Sequence, residues 1–211
     1  EPGDCIQAKI QYEGKRCRNI EYAGTPQAVA VGNYFQEIYM LRAQRRFRTN
    51  IPTLLVLNHD AKEYHALVLQ ELKDELEILD KIKPQISTRM YNYLRSELEA
   101  TLLSNMITYP YASASFHKKS LDSCLADGYW HALDNYQLRD DEASLRNRLY
   151  MAFLIDYKDY EMHKMAFEAG EDYSSQKSVE KEYQDLASFY KGTMRDAALF
   201  VFLCNQVMVN K

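Results

Sequence analysis

Read for its hydrophobic pattern, the chain changes period once. Ile6, Ala8, Ile10 and Tyr12 alternate with Gln7, Lys9 and Gln11, the period of a half-buried strand. Glu13-Gly14 is then expected as a hairpin loop, with Cys17–Tyr22 as the returning strand. That register sets Cys17 opposite Ile10 and Cys5 opposite Tyr22, too far apart for a Cys5–Cys17 disulfide. Gly24-Thr25-Pro26 closes the segment, and from there the period is helical.

Ala28, Val31, Phe35, Ile38 and Arg42 predict one face of a first helix running to about Arg48. Ile51–Leu57 reads as a short apolar connector of open structure. Asp60 and Glu63 stand in capping-box spacing before a helix over 62–83, with Tyr64, Val68, Leu72, Leu76 and Leu79 as its stripe. Pro84 opens the next helix almost at once, so the two should pack antiparallel. Ile86, Met90, Leu94, Leu98, Leu102 and Met106 recur every four residues along it. Tyr109-Pro110-Tyr111 is expected to end that helix, with 109–120 as a crossing loop. Short helices around 121–133 and 142–166 follow, then a polar loop over 170–178. Val179, Tyr183, Leu186 and Tyr190 form a further stripe.

The last stretch carries the longest apolar run, Ala197–Cys204, with Val207–Val209 after it. Gly192 reads as a helix stop, and Thr193 with Asp196 as the cap of the next helix. A helix apolar on every side is expected inside, as the central rod of the core. The run is too short for a membrane span of about 20 residues. The fold class expected is therefore mainly α: an irregular multi-helix bundle over 25–211, preceded by a short β-hairpin or extended segment over 1–24.

Composition narrows the function classes. A net charge of −4 gives no electrostatic footprint for nucleic acid. The basic stretch Arg42, Arg45, Arg46 and Arg48 reads first as a solvated face or a source of internal ion pairs. Seven glycines leave no room for a glycine-rich phosphate loop, whereas 17 tyrosines are many. Half-buried helix contacts explain the tyrosines most simply. A binding surface built of Tyr109, Tyr111, Tyr129, Trp130 and Tyr136 is the functional alternative.

Candidate chemistry is sparse. His59, Asp60 and Glu63 are the nearest approach to a metal set, and capping explains them better. The carboxylate groups Glu97 with Glu99, and Asp140, Asp141 with Glu142, read as solvated charge rather than as an acid–base pair. Cys204 lies within the apolar run, and Cys124 has no His or Lys pattern beside it to activate a thiolate. Four cysteines, with Cys5 and Cys17 the others, are too few for a disulfide framework in 211 residues. No catalytic residue, cofactor or metal is expected.

Several stretches together carry a resemblance. They are Ile20-Glu-Tyr-Ala-Gly24 with Asn33-Tyr-Phe, Asn105-Met-Ile-Thr-Tyr-Pro-Tyr111, Phe116-His-Lys-Lys-Ser120, Tyr129-Trp-His-Ala-Leu-Asp134, Leu145–Tyr157 and Lys191–Asp196. In these the chain resembles the helical segment that precedes the thioredoxin-like domain of exported TlpA-type thiol–disulfide oxidoreductases. The resemblance spans nearly the whole chain and consists of aromatic and leucine spacing. It implies a non-catalytic accessory domain, periplasmic or lipid-anchored, that serves substrate engagement, dimerisation or positioning of a catalytic domain. The partner implied is a C-terminal thioredoxin-like domain or a protein substrate. The W-C-x-x-C site of that domain is not in this chain, and none of the four cysteines matches it. Two alternatives stay open: a stand-alone exported module that binds peptide or glycan, and a helical enzyme with converging titratable groups.

Overall fold

The computed structural model describes residues 3–14, 16–44, 56–126, 128–171, 173 and 178–209. Two antiparallel strands, β1 (Ile6–Glu13) and β2 (Arg16–Gly24), lead into helices. These are α1 (Pro26–Gln44), α2 (Ala61–Ile82), α3 (Thr88–His117), α4 (Glu142–Leu145), α5 (Arg148–Ala169), α6 (Val179–Phe189) and α7 (Gly192–Val209). Single 3-10 turns follow α2 and sit between α3 and α4. The fold is mainly α with an N-terminal hairpin, as the period change predicts. Among the described residues no helix is long and apolar enough to cross a membrane.

The strand register differs from the one expected. Ile10 pairs with Ile20 and Tyr12 with Cys17, with a bulge between these pairs. The turn lies after Glu13 because Gly14, at φ +61°, supplies the positive φ that tight hairpin turns require. Cys5 remains far from Cys17 along the ladder, and its thiol is free and exposed. The hairpin is tied to α1 at its open end. The Asp4 carboxylate accepts hydrogen bonds from Thr25 Oγ1 and Gln27 Nε2, each at 2.8 Å, and the Thr25 amide donates to the Cys5 carbonyl at 2.9 Å.

Gly24 makes that closure possible. A Cβ there would lie 2.0 Å from the Cys5 carbonyl oxygen, at a φ of +144°. Gly24→Ala is expected to cost about 1–3 kcal/mol, the range for a side chain forced into such a backbone region, and to act on the hairpin alone. Amide exchange of β1 measures it; unchanged protection would contradict the expectation.

On α1 the buried face is Ala30, Tyr34 and Ile38, while Phe35 is turned out at 48 % exposure, against the expected stripe. Gly32 lets Tyr22 of β2 lie on the helix, with a built Cβ only 2.9 Å from the ring. Arg42 forks onto the buried Glu75 of α2 at 2.9 and 2.7 Å, an internal ion pair. Arg45, Arg46, Arg48 and most of the Ile51–Leu57 connector lie outside the described residues.

α2 and α3 pack against each other as the expected pair. Asp60 and Glu63 close a full capping box on α2, and Ser87 caps α3. Two buried clusters run along this pair. One holds Ala30, Tyr34, Ile38, Ile78, Leu79 and Leu94; the other holds Tyr64, Val68, Met106, Tyr150, Phe153 and Leu154. Leu72 borders both.

The central rod is α3, and it runs through Pro110 to His117 rather than ending at Tyr109. A proline inside a helix cannot donate to the carbonyl four residues back and crowds it, which normally breaks the helix. Here neighbours hold the helix beside the proline: the Tyr129 hydroxyl donates to the Ile107 carbonyl and the Tyr109 hydroxyl to the His59 carbonyl, each at 2.7 Å. Pro110 itself is buried. The helix then stops at Lys118, which adopts the left-handed conformation at φ 53°.

The C-terminal helix also departs from expectation. α7 lies on the side of the bundle against α4, α5 and α6, burying Ala198, Val201 and Phe202. Phe200, Leu203, Val207 and Met208 are between 47 and 61 % exposed. Gly192 has the left-handed φ expected of it, +56°, but it stands at the start of α7 rather than at the end of α6, and the Arg195 amide donates to the Lys191 carbonyl. Asp196 pairs with the Arg195 guanidinium at 2.9 Å rather than closing a box with Thr193. On α6 only Leu186 of the expected stripe is fully covered. Tyr190 beyond it is buried too, while Val179 and Tyr183 are exposed.

Candidate functional site

Three separated segments build a polar cleft. The first turn of α2 brings His59 and Lys62, the last turns of α3 bring Tyr109 and His117, and the following turn brings Lys119 and Cys124. The space between them is about 630 Å³, within the range of small-ligand sites. Its walls are braced from behind. The Tyr109 hydroxyl donates to the His59 carbonyl at 2.7 Å. His117 Nε2 donates to the Val56 carbonyl at 3.1 Å. Asp60 and His59 are both engaged with Glu63, through the capping box and a 3.3 Å contact to Nδ1. Thus His59, Asp60 and Glu63 form a helix start. Among the described residues no three His, Cys, Asp or Glu side chains converge to hold a metal.

Cys124 is buried at 7 % exposure, and the hydroxyl of Ser123, 3.9 Å away, is its hydrogen-bonding neighbour. The cleft therefore offers donors, acceptors and two ammonium groups for binding, without a nucleophile set against a base. Cys5, Cys124 and Cys204 are free thiols.

The five aromatic residues read from the sequence as a binding surface go to different places. Tyr109, Tyr129 and Trp130 are buried at 3, 3 and 6 % exposure, as core anchors. Burial pushes the Tyr129 hydroxyl far above its ordinary value. Tyr136 is half-buried and donates to Glu99 at 3.2 Å. Tyr111 alone reaches the surface, and its hydroxyl lies 2.9 Å from His163 Nδ1. His163 is held between the rings of Trp130 and Tyr173, with centroids at 4.6 and 4.7 Å. Tyr173 in turn donates to Asp159, which pairs with the fully buried Lys158, and Lys158 also binds Glu182. This chain of contacts joins α3, α5 and α6.

Glu99 is buried and Glu97 half-buried, and each has partners. Glu97 accepts from Asn147 at 3.1 Å, and Glu99 binds both Arg95 and Arg139. Asp141 caps α4.

His65 and His163 make the fold sensitive to acid. Burial holds both imidazoles below the ordinary histidine value. The neutral form is thus favoured in the folded state. Their stabilising contribution is complete above the unfolded value of about 6.5 and is lost as pH falls through the lower folded values. The melting temperature should drop between about pH 7 and pH 5. A smaller drop is expected in a His163→Phe variant, and an equal drop would remove His163 from the account.

A second cleft, about 760 Å³ and mostly apolar, lies between α4, α5 and α7. Leu145, Met151, Ala197 and Phe200 form it, with Glu142 and Arg146 at its rim. It adjoins the exposed side of α7.

Comparison with protein-family models, with curated proteins and with solved structures finds no match to this chain.

Proposed function

We propose that this chain is the helical accessory part of an exported thiol–disulfide oxidoreductase, periplasmic or lipid-anchored, and that its role is to position a thioredoxin-like domain. The sequence resemblance motivates the reading, and one structural observation supports it. α7 has a second apolar side, Phe200, Leu203, Val207 and Met208, beside the apolar cleft of Leu145 and Met151. Helices apolar on both sides need a second covering surface, and exposed apolar patches of this kind mark interaction sites.

Sequencing the reading frame tests the proposal directly. It should continue past Lys211 into a domain with a C-x-x-C site, and a stop codon at that point overturns the reading. In the two-domain protein, Phe200→Asp with Leu203→Asp should loosen the catalytic domain, seen as faster proteolysis between the domains. The chain by itself is expected to be inactive in insulin reduction.

A second reading, a binding module for a peptide or glycan, is favoured by the 630 Å³ polar cleft rather than by the tyrosines, three of which are inside. Screening peptides and oligosaccharides by thermal shift, with His117→Ala as the control, separates the two readings.

A further inference from the structure

The hairpin ends in an open edge. All eight residues of β1 are exposed, including Ile6 at 49 %, Ile10 at 45 % and Tyr12 at 66 %. β2 is the only strand beside it among the described residues, and it is β2 that contacts α1. A two-stranded hairpin is marginal by itself in water, and a long apolar edge strand is a template for further pairing.

The direction of the backbone groups follows from one bond. The Thr25 amide donates to the Cys5 carbonyl across the hairpin. In an antiparallel ladder the residues alternate, so Cys5 and the odd positions of β1 turn their amides and carbonyls toward β2. The even positions, Ile6, Ala8, Ile10 and Tyr12, turn theirs outward. The outward bonding positions are thus the apolar ones. The odd positions between them carry Lys9, Gln11 and Glu13 on the opposite face.

We propose that β1 pairs antiparallel with β1 of a second copy of this chain, centred on Gln11, to make a four-stranded sheet across a twofold axis. That register sets Ile10 against Tyr12 of the other copy as hydrogen-bonded pairs, and Lys9 against Glu13 of the other copy twice. Aromatic–β-branched and opposite-charge cross-strand pairs are both favourable. A register centred on Lys9 would set like charges together, and one centred on Ile10 forms neither ion pair. Lys9 also lies 3.7 Å from Glu21 within its own hairpin, on an exposed face where such a contact is weak and easily shared. α7 takes no part, so loss of this contact and loss of the domain contact proposed above are read separately.

Analytical ultracentrifugation of the purified chain tests the pairing, with circular dichroism confirming that each variant is folded. A concentration-dependent dimer is expected. Ile10→Pro removes an outward amide and leaves the bonds to β2, so it should give a folded monomer. Lys9→Glu should weaken the dimer about tenfold or more, and Lys9→Glu with Glu13→Lys should restore it. Both of these variants set a carboxylate in place of the Lys9 ammonium against Glu21, so that repulsion inside the hairpin is common to them, and Glu13→Lys alone is the control for the pairing of position 13 with Arg16 in its own hairpin. Gln11→Cys in a Cys5→Ser background should form a disulfide between copies under mild oxidation. A monomer at about 1 mM overturns the proposal. So does a dimer that survives Ile10→Pro, or a double charge exchange that dimerises no better than Lys9→Glu.

Discussion

Replacing Glu99 by alanine should lower the stability of the fold by about 3 kcal/mol, the low end for a broken buried ion pair. Glu99 lies on α3 at 5 % exposure and is held from three sides. Arg95 Nε donates to it at 2.8 Å, Arg139 Nε and a terminal nitrogen at 2.7 and 3.1 Å, and the Tyr136 hydroxyl at 3.2 Å. Removing the carboxylate leaves two guanidinium groups facing each other without their shared anion. The loss stays at the low end because the Arg95 side chain is 36 % exposed and recovers some hydration.

Burial pushes the Glu99 carboxyl up, but the hydrogen bonds from Arg139 and Arg95 outweigh it and hold the group below its ordinary value. A carboxylate depressed in the folded state stabilises above its unfolded value, and that stability is lost as pH falls through the folded one. Glu99→Ala should therefore also flatten the acid side of the stability curve. Urea unfolding measures both effects. The exposed pair of Lys81 and Glu37, 2.6 Å apart, is the control, and Glu37→Ala should change stability by less than about 0.5 kcal/mol. A Glu99→Ala variant as stable as that control would show that the two arginines find other partners.

Phe153→Ala should cost about 3–5 kcal/mol, the range for truncating a buried phenylalanine. The residue is fully buried on α5, with the Tyr136, Tyr150 and Tyr157 rings at 5.7, 6.0 and 5.8 Å. Those of Tyr136 and Tyr150 are tethered by their hydroxyls, to Glu99 and to the Arg139 carbonyl, so the walls of the new cavity cannot easily close. Phe200→Ala is the comparison. Phe200 sits in the longest apolar run of the chain yet is 61 % exposed, and its truncation should stay within about 0.5 kcal/mol. Chemical denaturation of both variants decides the matter. A larger loss for Phe200→Ala would mean that α7, not α5, carries the core.

This contrast marks what local pattern could and could not reveal. Helix periodicity was legible on α2 because it is amphipathic over many turns, and on α3 because an apolar residue recurs every four positions; Leu94, Leu98, Leu102 and Met106 are all buried as their spacing implies. The Asp60–Glu63 box was legible because capping is a contact between residues three apart. The candidate cleft was not legible, since His59, His117 and Cys124 meet only after α2 and α3 fold back and the chain turns beyond Lys118. Nor was the Glu99 site, in which the decisive arginine is 40 residues away.

The sequence by itself determined most of the helices, the stripes of α2 and α3, the Asp60–Glu63 cap, and the change from strand to helix period at Gly24, because these follow from backbone sterics and nearest-neighbour spacing. Tertiary structure alone decided three things. Pro110 stays inside a helix because the residues around it are buried and tied to distant segments, Ile107 to the Tyr129 hydroxyl and Tyr109 to the His59 carbonyl. The hairpin register follows where Gly14 can turn the chain. The most apolar helix lies at the side rather than the centre, because hydrophobicity says that a surface will be covered but not which neighbour covers it.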